Sequence, residues 1–315
     1  MTAKTEVASH KLGAFMRRLV IIVPAFNEAA RIEETVQTLK AREQTIQELG
    51  CELCIYVVDD GSEDGTGALA LQAGADRVLR HRTNMGLGAA VRTGLMAARQ
   101  GGADIALKFD ADLQHDPDDI ANIVAPIIAE EAEVIYGNRF ERIEYSMPLV
   151  RRLGNLFFTA LMRWLTGWPL RDSQPGIFAV HRTYLEQFRI PGDYNYTQQI
   201  LLDAYHKGMR FAHVNVAFRK RATGKSFISL RYPFKVLPQI VMVLIGVKPM
   251  RIFGPIGLAF MALGTAVFCI EIGDWLIGES PKPVQSVNLV IGSVLFGLHT
   301  FFFGILAQLI VEMRK

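Results

Sequence analysis

Apolar runs typical of buried strands alternate with amphipathic helical segments along the first 140 residues. Because strands that alternate with helices pair in parallel, this pattern predicts an α/β fold with a mainly parallel sheet and helices on both faces. The predicted strands cover residues 19–23, 54–59, 77–79, 105–109 and 133–136. The predicted helices cover residues 28–48, 64–73, 86–99 and 117–129, the first capped by Asn27 and the last by Asp116.

The sequence between residues 141 and 230 is less regular. It predicts helices and a strand at residues 150–165, 197–206 and 212–218, with a loop at 172–176. These elements extend the α/β pattern, so we expect one globular domain over residues 1–227.

Two C-terminal stretches are long enough to span a bilayer. Residues 252–270 carry no charge. Residues 286–311 are mainly apolar, with Asn288, His299 and Gln308 as the most polar interruptions, and a polar loop separates the two stretches. Each reaches or approaches the ~20 residues that a transmembrane helix needs. Basic residues before the first span and after the second place the N-terminal domain in the cytoplasm by the positive-inside rule. We therefore expect a two-helix transmembrane region at 251–315, with a buried helical hairpin as the alternative.

The segment before the first span, residues 228–250, is apolar but interrupted by basic residues and prolines. Such a composition favours an amphipathic juxtamembrane helix in the membrane interface, and a core helix of the globular domain is the alternative.

Composition excludes two other classes of function. The net charge of +3 is too small to indicate a nucleic-acid partner. Cys51 and Cys54 match a CxxC motif, but no second pair or nearby histidine accompanies them. We therefore interpret them as strand residues rather than as a redox or zinc site.

Two aspartates follow the predicted strand at residues 105–109. Asp110 and Asp112 lie at the carboxyl end of this strand, the edge at which α/β sheets bind ligands. The residue between them points the other way in an extended segment, so both carboxylates can share one side. Carboxylates suit Mg²⁺ or Mn²⁺, so the motif predicts a metal site. A solvated acidic turn before a capped helix is the alternative.

Four polar segments follow strands or open helices on what the fold predicts to be one edge of the sheet. They begin at Pro24, Asp59, Asn84 and Asp110. Together they supply a stackable aromatic ring, carboxylates, glycines that allow close backbone approach, and metal ligands. A nucleoside diphosphate site needs these groups. The dinucleotide fingerprint is excluded, because Val91 stands in place of its third glycine.

Five motifs in order carry a resemblance to a known family: PAFNEA, VVDDGSEDGT, NMGLG, DADLQHDP and GNRF. Followed by two apolar spans, they make the chain similar to family 2 glycosyltransferases with the Rossmann-like GT-A fold. Within that family it most resembles polyprenyl-phosphate glycosyltransferases, the dolichyl-phosphate mannose and glucose synthases and their bacterial counterparts. The resemblance implies inverting transfer of a hexose, glucose or mannose, from a UDP- or GDP-hexose to undecaprenyl or dolichyl phosphate, with Mg²⁺ or Mn²⁺ as cofactor.

The resemblance also implies a role for each matching residue. The positions implied to bind the nucleotide sugar are Pro24, Phe26, Glu28, Asp59, Asp60, Gly86, Gly88, Asp110, Ala111, Asp112 and Arg221. The implied metal ligands are Asp110, Asp112 and Gln114. The implied lipid-phosphate ligands are Arg139 and Arg152, and the implied catalytic group is Asp110, Asp112, Arg139 and Asp172.

Four of these residues have an ordinary structural role as the alternative. Arg139 and Arg152 could be surface or ion-pair arginines, and Asp172 could cap a turn. Glu28 could be a first-turn acid favoured by the helix dipole.

Two departures from the family pattern affect the sugar and acceptor region. The resemblance implies that the loop at residues 172–176 contacts the acceptor, and we call it the acceptor loop. Pro175 precedes its glycine where many relatives have Ser, Thr or Cys, and Gln198 and Gln199 lie where relatives often carry a glutamate. The donor sugar therefore stays open. The Gln-x-x-Arg-Trp motif of processive relatives is absent from the later acceptor region, which argues against polymer synthesis.

Two further functions remain as alternatives. The same site could act on a sphingolipid or diacylglycerol hydroxyl, but that chemistry needs a general base, and GNRF with the Arg151-Arg152 pair favours a phosphate. A membrane protein that only binds nucleotide sugar is the second, and the complete Asp-x-Asp motif argues against it. The oligomeric state is open, because the spans could pack within a chain or between chains of a homo-oligomer.

Overall fold

A computed structural model describes residues 16–141, 149–190, 196–218 and 249–313. The chain divides into two compact units, Met1–Phe227 and Ile228–Lys315, which are described separately below.

Seven strands of the first unit form one mixed sheet. They are β1 (Arg17–Ala25), β2 (Cys51–Asp59), β3 (Arg77–Arg80), β4 (Ile105–Lys108), β5 (Val134–Asn138), β6 (Phe178–His181) and β7 (Phe211–Asn215). Their order is β3-β2-β1-β4-β6-β5-β7. All neighbours pair in parallel except β6, which runs antiparallel to both β4 and β5. The predicted mainly parallel α/β sheet is therefore confirmed, with one antiparallel strand that the sequence pattern does not predict.

In the described part of the first unit, eight helices accompany the sheet. They are α1 (Ile32–Lys40), α2 (Glu43–Glu48), α3 (Thr66–Gln72), α4 (Leu87–Gln100), α5 (Asp119–Ile128), α6 (Leu149–Thr166), α7 (Arg182–Leu185) and α8 (Tyr196–His206). Both faces of β1 are covered. Leu19, Ile21 and Val23 join the core cluster with apolar residues of α1 and α5. Ile22, on the other face, contacts α4, where a Cβ added to Gly94 would lie 2.2 Å from Ile22 Cγ2.

Two predicted helix starts are wrong. Asn27 has a left-handed φ of 52° and does not cap a helix, so the segment predicted at 28–48 is instead the two helices α1 and α2. Asp116 accepts a hydrogen bond from the Asp118 backbone N–H at 3.1 Å, which forms a turn before α5 begins at Asp119. In both places a side chain holds a loop next to the strand end instead of opening the helix.

The second unit contains two long apolar helices, α9 (Met250–Leu276) and α10 (Val287–Glu312). Each is long and apolar enough to cross a membrane. Glycines bring their backbones together, because a Cβ added to Gly257 would lie 2.7 Å from the Gly297 carbonyl oxygen. The two helices therefore pack within one chain. The predicted juxtamembrane segment lies outside the described residues, except for residues 249 and 250.

Candidate active site

The chain adds β2 and β3 on one side of β1 and then returns to add β4 on the other side. The strand order therefore reverses between β1 and β4, which places a topological switch point at their carboxyl ends. Ligands of open α/β sheets bind at such crevices. The segment after β1 and the aspartate motif after β4 both start there. The fold thus brings together the segments that the sequence analysis assigns to nucleotide and metal.

The loops after β1 and β2 are joined by hydrogen bonds. The backbone N–H groups of Asn27 and Glu28 donate to Ser62 Oγ at 3.0 Å and to Thr66 Oγ1 at 2.9 Å. The Ala29 N–H donates to Asp64 Oδ2 at 3.0 Å. These bonds fix the loop that carries Phe26 and leave its ring 43% exposed at the edge of the sheet.

Asp60 connects β2 to the start of α4. Its buried carboxylate accepts backbone hydrogen bonds from Met85 at 2.9 Å and Gly86 at 2.8 Å, and one oxygen lies 2.7 Å from His81 Nδ1. Gly61 is required beside it, because its φ is +78° and an added Cβ would lie 2.5 Å from the Thr83 carbonyl carbon. The carboxylate therefore shapes the NMGLG loop from within.

Asp59 has a similar internal role. Its side chain is buried and accepts a hydrogen bond from the Ser62 N–H at 2.8 Å. Arg80 Nε lies 3.5 Å from its other oxygen. Of the remaining predicted nucleotide residues, Pro24 and Gly88 are buried, whereas Gly86 lies at the N-cap of α4 with a φ of 92°.

The aspartate motif is held against α1. The Ala111 carbonyl oxygen accepts a hydrogen bond from Thr35 Oγ1 at 2.9 Å, and the Asp112 carbonyl oxygen accepts one from Arg31 at 3.3 Å. The Gln114 N–H donates to Asp112 Oδ1 at 3.1 Å. Asp110, Asp112 and Gln114 are all partly exposed, so their oxygens lie at the surface of the crevice.

Lys108, the last residue of β4, is a site residue that the sequence analysis missed. Its side chain is 1% exposed, and Nζ lies 2.5 Å from Asp110 Oδ1 and donates to the Gly176 carbonyl oxygen at 2.5 Å. A lysine in an otherwise apolar strand was the available signal, because a buried ammonium needs such partners.

His115 is packed under the same carboxylate. Its ring is buried between Phe109 and Phe218, and Nε2 lies 3.8 Å from Asp110 Oδ2. Burial lowers the pKa of His115 to about 4. The nearby charge of Asp110 opposes this shift, whereas the charges of Lys108 and Arg139 reinforce it. These four side chains therefore share one environment.

Arg139 and Asp172, predicted separately, form a buried ion pair. Arg139 Nε lies 3.0 Å from Asp172 Oδ2, and the Asp172 side chain is fully buried. Asp172 Oδ1 accepts hydrogen bonds from Asn155 Nδ2 and the Gln174 N–H, both at 2.9 Å. Both predicted alternatives hold in part, because Asp172 does stabilise a turn and Arg139 does form an ion pair.

Of the two other predicted basic residues, the structure describes one. Arg152 lies on α6 with an exposed side chain, and no described contact links it to Arg139. Arg221 lies outside the described residues. In the described ranges, no group of three or more His, Cys, Asp or Glu side chains could hold a metal ion. An ion at Asp110 and Asp112 would therefore take other ligands as well.

The chain is similar to known proteins in both sequence and structure. The model of glycosyl transferase family 2 matches residues 20–189, a span that runs from β1 to just beyond α7. The chain is 33% identical to UDP-N-acetylglucosamine–dolichyl-phosphate N-acetylglucosaminyltransferase of Methanococcus voltae, over 53% of this chain and 71% of that protein.

Two relatives extend the comparison. Polyprenol monophosphomannose synthase of Mycolicibacterium smegmatis is 29% identical over 68% of this chain and 82% of its own. Dodecaprenyl-phosphate galacturonate synthase of Rhizobium johnstonii is 24% identical over 93% of this chain and 88% of its own. The resemblance to polyprenyl-phosphate glycosyltransferases is confirmed.

Solved structures share the fold. Glucosyl-3-phosphoglycerate synthase from Mycobacterium tuberculosis, in complex with Mn²⁺, UDP-glucose and phosphoglyceric acid, superposes with a TM-score of 0.56 at 22% identity, over 72% of this chain and 78% of that one. At this identity the similarity shows the GT-A fold alone.

Proposed function

The chain belongs to glycosyl transferase family 2 and is a glycosyltransferase, and from this premise we propose that it transfers a hexose from a nucleoside-diphosphate sugar to a membrane polyprenyl phosphate. Relatives named for dolichyl phosphate, polyprenol and dodecaprenyl phosphate support this acceptor class. Their names include three different sugars, so the family leaves the donor open. We propose glucose or mannose as the transferred hexose, with UDP or GDP as the nucleoside diphosphate of the donor.

The buried pair of Arg139 and Asp172 is the observation that carries the proposal. A guanidinium fork matches phosphate oxygens better than any other side chain. Arg139 is held at Nε by Asp172 and shares the environment of Asp110, so it can orient an acceptor phosphate beside the leaving diphosphate. The exposed Arg152 is a second, weaker candidate for the same phosphate.

The surroundings of Asp172 favour a phosphate over a hydroxyl acceptor. Its Oδ1 accepts two hydrogen bonds and its Oδ2 faces Arg139, so the carboxylate is not placed to remove a proton. A phosphate monoester is already ionised at pH 7 and needs no general base. Asp172 is therefore a positioning residue for Arg139 rather than a catalytic residue.

The donor set fits a divalent metal. Asp110, Asp112 and Gln114 supply few, hard oxygen ligands, an arrangement that leaves positions for substrate phosphates and suits Mg²⁺ or Mn²⁺. Asp112 would be the main protein ligand, because one oxygen of Asp110 already faces Lys108. A bound ion would neutralise charge on the leaving diphosphate.

The nucleotide would lie over the loops after β1 and β2. The exposed ring of Phe26 is available to a base, and Glu28 follows two residues later in the same loop. Asp59 and Asp60 would act from within, by shaping these loops, because their carboxylates accept backbone hydrogen bonds. A single in-line displacement by the acceptor oxygen inverts C1, so an α-linked donor gives a β-linked lipid product.

The two apolar helices support a reaction at a membrane. A polyprenyl phosphate is confined to a bilayer, and α9 and α10 are each long enough to cross one. Basic residues outside the spans favour a cytoplasmic catalytic domain. A donor in the cytoplasm and an acceptor in the membrane would then meet at the crevice.

The test is transfer of labelled hexose to polyprenyl phosphate by the full-length protein and by Asp112→Asn and Arg139→Lys. Asp112→Asn should lower kcat at least about 100-fold, because the loss of a charged ligand weakens stabilisation of the leaving group. Arg139→Lys keeps a charge opposite Asp172 but loses the fork. It should raise the KM for the lipid about tenfold and leave the donor KM within about threefold.

Asp118→Asn provides the matched control, because this aspartate is close in sequence but its side chain is 72% exposed and pairs with Arg42 at the surface. It should transfer at the wild-type rate. Full turnover by Asp112→Asn at saturating Mn²⁺ would contradict the metal assignment, and an unchanged lipid KM for Arg139→Lys would contradict the phosphate role.

A further inference from the structure

A buried lysine that the proposed chemistry does not use lies beside the metal carboxylate. Lys108 ends β4, its side chain is 1% exposed, and its neighbours Leu107 and Phe109 are fully buried. An ammonium in such a place destabilises the protein unless it is fully paired, and an apolar residue would pack there at less cost. The charge at this position therefore calls for a role other than stability.

The contacts of Lys108 reach two different loops. Nζ lies 2.5 Å from Asp110 Oδ1 in the metal motif and 2.5 Å from the carbonyl oxygen of Gly176. The phenol of Tyr196, at the start of α8, also interacts with it. Both acceptors lie at hydrogen-bond distance from the same nitrogen, and an ammonium suits them because it can donate to a carboxylate and a carbonyl oxygen together.

The second of these loops leads to the acceptor arginine. Gly176 lies four residues after Asp172, whose carboxylate faces Arg139. Lys108 thus lies between the carboxylate assigned to the leaving diphosphate and the loop assigned to the acceptor phosphate.

We propose that Lys108 is a positioning residue that fixes the distance between Asp110 and the acceptor loop, so that the acceptor phosphate attacks in line with the leaving diphosphate. The inference rests on the function proposed above. A three-donor ammonium on a flexible stem suits this task, because it can bond a carboxylate and a carbonyl oxygen at once. In-line geometry supplies much of the rate of such a transfer, and a misplacement of about 1 Å costs about 100-fold.

The experiment compares Lys108→Met with the wild type in the full-length protein in detergent. Methionine keeps the length of the side chain and removes the charge. We expect kcat for lipid transfer to fall about 100-fold, with donor and lipid KM values within about threefold. Mn²⁺-dependent binding of UDP and GDP, measured by calorimetry, should also stay within about threefold of the wild type, because both carboxylates remain.

Lys207→Met is the matched control, because Lys207 is a partly buried lysine that is also paired with an aspartate. Its Nζ lies 2.5 Å from Oδ1 of Asp203, which is one turn earlier on α8. It should leave kcat unchanged. A near wild-type kcat for Lys108→Met would overturn the proposal. A loss of nucleotide binding that parallels the loss of kcat would also overturn it, since Lys108 would then support binding and not alignment.

A second variant covers failure of Lys108→Met to fold. Tyr196→Phe keeps the buried ring and removes only the hydroxyl that contacts the ammonium. It should lower kcat about three- to tenfold at unchanged KM, and an unchanged kcat would then overturn the proposal. A wild-type protein that forms no lipid-linked sugar from any donor is a distinct result, which contradicts the proposed function and this inference together.

Discussion

At the residue scale, Gly176 lies so close to the side chains of His115 and Asp110 that no residue with a Cβ fits at its position. A Cβ at this position would lie 2.1 Å from His115 Nε2 and 2.9 Å from Asp110 Oδ2. His115 cannot move aside easily, because Phe109 and Phe218 enclose its ring. The glycine is therefore a requirement of packing, since only hydrogen fits between the loop at residues 172–176 and the aspartate motif.

Gly176→Ala should consequently disturb the site more than the fold. We expect a loss of about 1–3 kcal/mol in the free energy of unfolding from overpacking, and a fall in kcat of at least about tenfold as Asp110 shifts. Gly154→Ala, on α6, is the control, because nothing lies within 4 Å of its added Cβ. A Gly176→Ala protein with wild-type kcat would show that Asp110 tolerates displacement.

His213 in β7 gives the fold a pH dependence at the residue scale. Its Nε2 accepts a hydrogen bond from the Arg171 N–H at 2.9 Å, and its Nδ1 faces the Tyr136 carbonyl oxygen at 3.3 Å. This arrangement needs the neutral ring. Burial lowers its pKa from 6.5 to about 4.

Because the folded pKa is below the unfolded one, the unfolded chain binds the proton first. Stability is therefore fully present above about pH 6.5 and is lost as the pH falls toward 4. At pH 5 the loss from His213 should be roughly 1–2 kcal/mol. His213→Gln should show a smaller fall in Tm between pH 7 and pH 5 than the wild type. Equal falls in the two proteins would contradict this assignment.

At the element scale, the sequence predicts strands better than loop geometry. The apolar runs locate β1, β2 and β4 because burial on both faces demands continuous apolar residues. They do not locate β6, whose four residues follow a loop and run against their neighbours. The helix start at Asn27 is mispredicted because its side chain accepts a hydrogen bond from the Glu63 N–H, a contact distant in sequence. The start at Asp116 is mispredicted because its side chain forms a local turn with the Asp118 N–H instead of capping the helix.

The hairpin of α9 and α10 allows a test at the same scale. An added Cβ at Gly257 would lie 2.7 Å from the Gly297 carbonyl oxygen, and one at Gly264 would lie 2.8 Å from Val294 Cγ2. Close approach through small residues is how apolar helices pack in lipid. Gly257→Ala should force the helices apart.

We expect Gly257→Ala to lower the Tm of the detergent-solubilised protein by about 3 °C or more. Gly292→Ala, on α10, is the matched control, because its added Cβ meets nothing within 4 Å. If both variants melt together with the wild type, the described packing of this hairpin is not what stabilises the protein.

At the scale of the whole molecule, the sequence order of motifs predicts the site better than the role of each residue. The parallel sheet brings Pro24, Asp60 and Asp110 to one edge, as the alternation of elements requires. The side-chain contacts within the site could not be predicted from the sequence. Arg139, for example, contacts Asp172 only after β5 and β6 pair. The internal bonds of Asp60 depend likewise on the NMGLG loop, 25 residues away in the chain.

The central claim is that the acceptor is a polyprenyl phosphate. The most direct measurement gives the purified full-length protein a panel of labelled UDP- and GDP-hexoses, with either polyprenyl phosphate or the unphosphorylated polyprenol, in Mn²⁺ or EDTA. We predict a lipid-linked sugar from one donor, formed only with the phosphate and only with the metal. Transfer to the free polyprenol, or no lipid product from any donor, would contradict the claim.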